Sequence, residues 1–172
     1  MKYTLFTTII LTSILSASIN TITSFEADFT QSITDDKDKV LSYSGHVHAS
    51  KPQFAKWNYQ TPVQKNIFIS PFSITIVEPE IEQVIVRKIE SNFNFFQMIK
   101  NAKEIKKNTY EAKYKNSIFT IIQEDGKIKS ISYLDEFENN VVILFDKQEQ
   151  NHKIPLKVFI PVYPLYFDIV RD

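Results

Sequence analysis

The chain has 172 residues, with 20 basic and 20 acidic side chains, 43% apolar residues and no cysteine. A balanced charge creates no field to steer nucleic acid, and the missing thiols exclude disulfides, thiol catalysis, thiolate metal sites and a lipid-modified N-terminal cysteine. Gly45 and Gly126 are the two glycines, so a glycine-rich phosphate loop is excluded as well.

At the N-terminus, Met1-Lys2 leads into an apolar run from Leu5 to Leu15, followed by Ser16-Ala17-Ser18. The run is short of the roughly 20 apolar residues that span a bilayer, and the small residues sit where a signal peptidase cuts. Residues 1–18 therefore read as a secretory signal, and residues 19–172 as a single mature domain.

Beyond the signal, segments of β-branched and aromatic residues recur at 25–33, 40–49, 54–60, 65–70, 72–78, 83–89, 109–114, 117–123, 127–134, 140–146 and 156–160. Turn residues separate them at Asp35-Asp36, Pro62, Pro71, Pro79, Asp125-Gly126 and Asn139-Asn140. The pattern predicts a mainly β fold, an antiparallel sheet wrapped towards a barrel. Asp125-Gly126 is a hairpin signal in its own right.

Within "KPQFAKWNYQTP" (51–62), an extended chain would place Lys51, Gln53, Ala55, Trp57 and Tyr59 on one face. Residues 92–107 differ from their surroundings: Phe95, Ile99, Ala102 and Ile105 are helically spaced among lysines, which predicts an amphipathic helix serving as cap or lid. The runs 141–145 and 118–122 are apolar on both faces. Such strands call for cover on one side and a core or cavity on the other.

Catalytic signatures are missing. His46 and His48 would share a strand face, but no third ligand falls in a metal-binding motif, so they read as solvent-facing strand residues, with His152 in a polar turn. Glu78, Glu80 and Glu82 around Pro79 read as a solvated loop rim. There is no Gly-x-Ser-x-Gly elbow. The expectation is a protein that is not an enzyme, with no cofactor and no metal.

Four stretches in order, "SFEADFTQ" (24–31), "SGHVHASKPQFAKWNYQTP" (44–62), "EPEIEQVIV" (78–86) and "IPVYPLYFDIV" (160–170), resemble the outer-membrane lipoprotein carrier (LolA) family. That family has a Phe-x-Ala-x-Phe-x-Gln strand, a basic-Pro segment leading to Trp, a Pro before Glu-Gln, and a Pro-containing end with Asp-Ile or Asp-Val. The resemblance implies an unclosed antiparallel β-barrel, or half-barrel, enclosing an apolar cavity under a short helical lid. It also implies a periplasmic chaperone of a Gram-negative bacterium that carries lipoproteins by their acyl chains. Its partners would be those lipoproteins, an ATP-driven inner-membrane transporter and an outer-membrane acceptor; a monomer suits a shuttle. A sensor or accessory protein on the same fold is the alternative.

On that resemblance Phe29, Ala55, Trp57, Tyr59, Phe95, Phe96 and Ile99 line the cavity, and Lys51 takes the place of an arginine that latches the lid. The chain departs from the family in having Lys51 instead of arginine, Ala55 where phenylalanine is common, and Pro71-Phe72-Ser73 for an Asp-Gly turn. Few residues precede the first strand, which implies a reduced lid.

Overall fold

The computed structural model describes residues 19–89, 95–114 and 116–171; the predicted signal and residues 92–94 of the predicted helix lie outside them. A short 3₁₀ turn at Ile19–Thr21 leads into β1 (Ser24–Thr34), β2 (Val40–Ser50), β3 (Phe54–Thr61), β4 (Lys65–Ile69), β5 (Ser73–Glu78) and β6 (Gln83–Lys88). After helix α1 (Phe95–Asn101) come β7 (Lys103–Lys106), β8 (Thr109–Tyr114), β9 (Ser117–Glu124), β10 (Lys127–Leu134), β11 (Asn140–Gln150) and β12 (Asp168–Arg171).

All twelve strands form one sheet in the order β12-β6-β5-β4-β3-β2-β1-β11-β10-β9-β8-β7. β7 and β12 lie at its two ends, so the barrel is open. Every pairing is antiparallel except β6 with β12, which is parallel. The mainly β, unclosed half-barrel therefore stands, with one parallel strand added at its edge.

Local chemistry explains the turns. In the β1–β2 loop the Asp35 carboxylate accepts the N–H groups of Lys37 and Lys39, and in the β10–β11 loop Asp135 does the same for Phe137 and Asn139. Each loop then closes through one left-handed residue, Asp38 or Glu138. Asp125 and Gly126 both have positive φ, as a tight β9–β10 hairpin requires.

Three sequence expectations are corrected. The helix ends at Asn101, and residues 103–106 form β7 instead. Asn108 turns the chain in the left-handed conformation while its N–H donates to the Glu104 carboxylate at 3.0 Å, so β7 and β8 make a hairpin, and Ile105 is exposed. The predicted strand at 156–160 is a 3₁₀ turn, Leu156–Phe159, following Pro155. Proline supplies no N–H to a ladder, and the pairing edge comes later, at β12. Finally, Lys51–Gln53 form a turn, so the regular alternation begins at Phe54 and not at Lys51.

The main core lies on one face of the wrapped sheet. Phe25, Ala27 and Phe29 of β1, Val47 and Ala49 of β2, Ile131 of β10, and Val141, Ile143 and Phe145 of β11 are buried there with Ile19, Ile22 and the helix. A smaller core of Phe68, Val77, Val84 and Phe167 lies on the opposite face of β4–β6, beneath the C-terminal segment. The double-faced runs are not fully covered. Ile118, Ile122 and Leu144 point away from the main core and are nearly half exposed.

Candidate functional site: an apolar cavity

Alternation along β3 points Ala55, Trp57 and Tyr59 at the main core. Beside them lies a cavity of about 170 Å³. Its wall is built strand by strand: Phe25 from β1, Val47 and Ala49 from β2, Ala55 and Trp57 from β3, Ile69 from β4, Phe119 from β9, Ile131 and Tyr133 from β10, and Ile143 and Phe145 from β11. Phe95 and Met98, one helical turn apart on α1, cover it. A larger groove of about 530 Å³ outside β1 and β11 is open and lined by polar and apolar groups alike, with Asp28, Thr30, Lys129 and Asp146 along it; unlike the cavity, it surrounds an apolar ligand with charges.

The aromatic wall is ordered by edge-to-face packing. Phe29 meets Trp57 and Tyr59 with ring centroids 5.0 Å apart in each case, and Phe25 meets Phe145 at 5.0 Å. Such pairs contribute about 0.5–1.5 kcal/mol beyond simple burial. Tyr59 Oη donates to Gln31 Oε1 at 2.8 Å, and burial pushes its phenol well above the ordinary range. The ring is thus held neutral as a support behind the wall.

Gly45 makes this packing possible. A Cβ there would lie 2.0 Å from the Asn58 carbonyl oxygen and 2.9 Å from Phe29 Cζ. The β2–β3 register shifts between Ser44 and Gly45, where this close approach occurs.

The helix is only seven residues long, too short to be stable by itself. Tertiary contacts hold it: Phe96, Met98 and Ile99 are buried in the same cluster as Ile19 and Ile22, and α1 packs against the N-terminal 3₁₀ turn and β8. Of the residues expected around the cavity, Ala55, Trp57 and Phe95 are in its wall. Phe29 and Tyr59 buttress Trp57, whereas Phe96 and Ile99 anchor the helix. Lys51 is exposed in the turn before β3; its backbone N–H donates to the Thr23 carbonyl at 2.9 Å, close to the 3₁₀ turn on which the helix rests.

Several wall residues escaped the sequence reading. Phe25 and Phe145 belong to β1 and β11, which pair directly, and their alternation alone would have placed them with Phe29. Beyond the cavity, cross-strand pairing extends the Trp57 position to Ile67, Ile76 and Ile85 on β4, β5 and β6. These isoleucines share its face and are only half-buried. The cavity thus opens onto an apolar row across the wing of the sheet.

An open half-barrel whose concave face holds a dry aromatic cavity under one short helix defines a binding protein for apolar chains. The family model described as outer membrane lipoprotein carrier protein LolA matches residues 20–109. An outer-membrane lipoprotein carrier protein of Campylobacter jejuni is 44% identical over 147 residues, covering 86% of each chain. One of Wolinella succinogenes is 28% identical over 157 residues, covering 91% of each. In fold, the chain is similar to an uncharacterized conserved protein from Thermus thermophilus (TM-score 0.54, 10% identity, 92% and 97% coverage) and to a LolA superfamily protein from Nitrosomonas europaea (0.51, 10%, 90% and 99%). The chain belongs to the outer membrane lipoprotein carrier protein LolA family.

Proposed function

We propose that this protein is a periplasmic chaperone that receives the acyl chains of lipoproteins leaving the inner membrane and carries them to the outer membrane. The carrying observation is the apolar cavity roofed by Phe95 and Met98, in a chain 44% identical to an outer-membrane lipoprotein carrier protein. It acts by binding, not catalysis. An ATP-driven inner-membrane transporter loads it, and an outer-membrane acceptor unloads it.

Volume dictates the mechanism. An engineered apolar cavity of about 150 Å³ holds one benzene, so a cavity of about 170 Å³ admits only a small part of an acyl chain. Cargo entry therefore requires α1 to lift, uncovering the cavity and joining it to the row of Ile67, Ile76 and Ile85. A sixteen-carbon chain buried completely would gain on the order of 12 kcal/mol at about 0.8 kcal/mol per methylene, too much for three chains to be released again. The half-open row leaves burial partial, and the helix, refilling the cavity with Phe95 and Met98, competes with cargo.

The test replaces Trp57 with a photo-crosslinking amino acid and identifies the species captured in the periplasm. Lipoproteins attached through their lipid support the chaperone; capture confined to free lipid, or to one regulatory protein, overturns it in favour of a sensor.

A further inference from the structure

On the opposite face of the same β1–β2 pair, all three histidines of the chain converge on one carboxylate. His46 Nε2 lies 3.1 Å and His48 Nε2 3.4 Å from Glu26 Oε1, while His152 Nε2 lies 3.1 Å from Glu26 Oε2. We infer that Glu26, His46, His48 and His152 form a binding site for a divalent cation of the zinc class.

Topology builds the site. Glu26 faces His48 and Asp28 faces His46 across the β1–β2 ladder, so these four residues share the outer face. His152 is delivered by the chain after β11, which is pinned to the start of β1: Asn151 N–H donates to the Ser24 carbonyl at 3.0 Å, Asn151 Oδ1 accepts Thr23 N–H at 2.7 Å, and Ser24 Oγ donates to the His152 carbonyl at 2.5 Å. The third imidazole, absent from any local motif, is thus supplied from more than a hundred residues away.

The geometry fits a tetrahedral ion. Imidazole nitrogen and carboxylate oxygen bind zinc at about 2.0–2.2 Å, which sets neighbouring donor atoms about 3.3–3.5 Å apart. The His46 and His48 nitrogens stand 3.1 and 3.4 Å from Glu26 Oε1, close to that edge, while His152 Nε2 stands 3.1 Å from the second oxygen, Oε2. Donor atoms of Glu26, His46 and His48 all fall within 4.8 Å of one another. His152 lies outside that set of three and would join it by swinging its ring from Glu26 Oε2 towards the other ligands.

Proton accounting points the same way. His46 Nδ1 lies 2.7 Å from Asp28 Oδ1, so it donates there, and Asp28 is held in turn by Lys147 at 3.0 Å. Such a carboxylate partner fixes the ring and leaves Nε2 as the ligand atom, the usual support of a metal-binding histidine. That lone pair points at Glu26 Oε1, 3.1 Å away, where a cation would be shared between them. His48 and His152 have no hydrogen-bond partner at Nδ1, so Glu26 supplies the polar contact to each ring, and His48 also packs edge-on against His46. Lys56, across from His48 on β3, and Lys147, paired with Asp28, are cations that oppose binding. Three imidazoles and one carboxylate select zinc, or nickel and copper, over the oxygen-seeking calcium and magnesium. The ion would tie β1, β2 and the segment after β11 together behind the cavity wall.

The experiment titrates untagged, EDTA-stripped protein with zinc and with cobalt(II). One equivalent of zinc should bind, the imidazole NMR signals of all three histidines should shift together, and cobalt should show the intense visible bands of a tetrahedral site. The double variant His46→Gln/His48→Gln should lose at least 100-fold in affinity, and Asp28→Asn should weaken binding about 10- to 100-fold at unchanged stoichiometry. Histidine signals that ignore an equivalent of zinc, a pale octahedral cobalt spectrum, or equal uptake by the double variant would overturn the site. The NMR and cobalt readouts need no variant, so a misfolded mutant does not blunt the test.

Discussion

Ala55 leaves room for a ring. The cavity at its Cβ measures about 170 Å³, and a hole of about 150 Å³ suffices for benzene, so the side chain of Ala55→Phe nearly fills it. Burial of the ring contributes about 1.5–3 kcal/mol, set against about 1–3 kcal/mol for the local shifts that overpacking demands. Net stability changes little, but the benefit exists only while α1 covers the cavity. If the ring favours the covered state by about 2 kcal/mol, cargo has to overcome that preference, and apparent affinity falls about 30-fold. Titration with a fluorescent acyl probe, beside a thermal melt, measures both. A variant that is as stable as the parent and binds the probe equally well or better would refute the premise that ligand and helix compete for this space.

Gly45→Ala forces a Cβ to within 2.0 Å of the Asn58 carbonyl oxygen; the cost is about 3 kcal/mol and the melting temperature drops by about 6–12 °C, read by calorimetry. In EDTA, stability should fall with acidity in two stages. His48 binds a proton less readily folded than unfolded because it is buried, among Glu26, His46, Lys56 and His152, so stability declines as pH drops through 6.5 and below. Burial would raise Glu26, but the charge of His48 and the hydrogen bonds of His46 and His152 outweigh it; Asp28 is lowered chiefly by its hydrogen bond to His46, so the support of these two carboxylates is lost below about 4.5 and 3.8. His48→Gln should flatten the first stage and weaken the Glu26 part of the second while leaving the Asp28 part, as followed by melts across pH. If Lys51 latches the helix over the empty cavity, a charge-assisted bond of about 1.5–3 kcal/mol is removed in Lys51→Leu, and probe affinity rises about 10- to 150-fold; unchanged affinity removes Lys51 from the latch.

Strand alternation made most of this fold readable. Ala55, Trp57 and Tyr59 share a face because β3 is regular, and the aspartate turns and Asp125-Gly126 announce the hairpins. Ile105 continues a helical spacing and so extends the expected helix too far, whereas the decisive signal, a left-handed Asn108 closing a hairpin, is an ordinary Lys-Asn pair in sequence. The 156–160 segment has strand-like composition but follows Pro155 and lacks a ladder partner, while β12 becomes the edge by pairing parallel with the sequence-distant β6. Long-range convergence was the least visible feature. Nothing local links His152 to Glu26, or Phe119 to Trp57; the open barrel brings both pairs together.

Trp57 is the single tryptophan of the chain and stands in the cavity wall, which makes its fluorescence a direct witness of the central claim. Acyl chains brominated along their length quench indole only at contact. Titration of such a chain into the protein should quench Trp57 saturably at one site, and an unbrominated chain should compete the effect away. Acyl-chain binding detected by calorimetry with Trp57 fluorescence unquenched would place the lipid elsewhere and contradict the cavity as the cargo site.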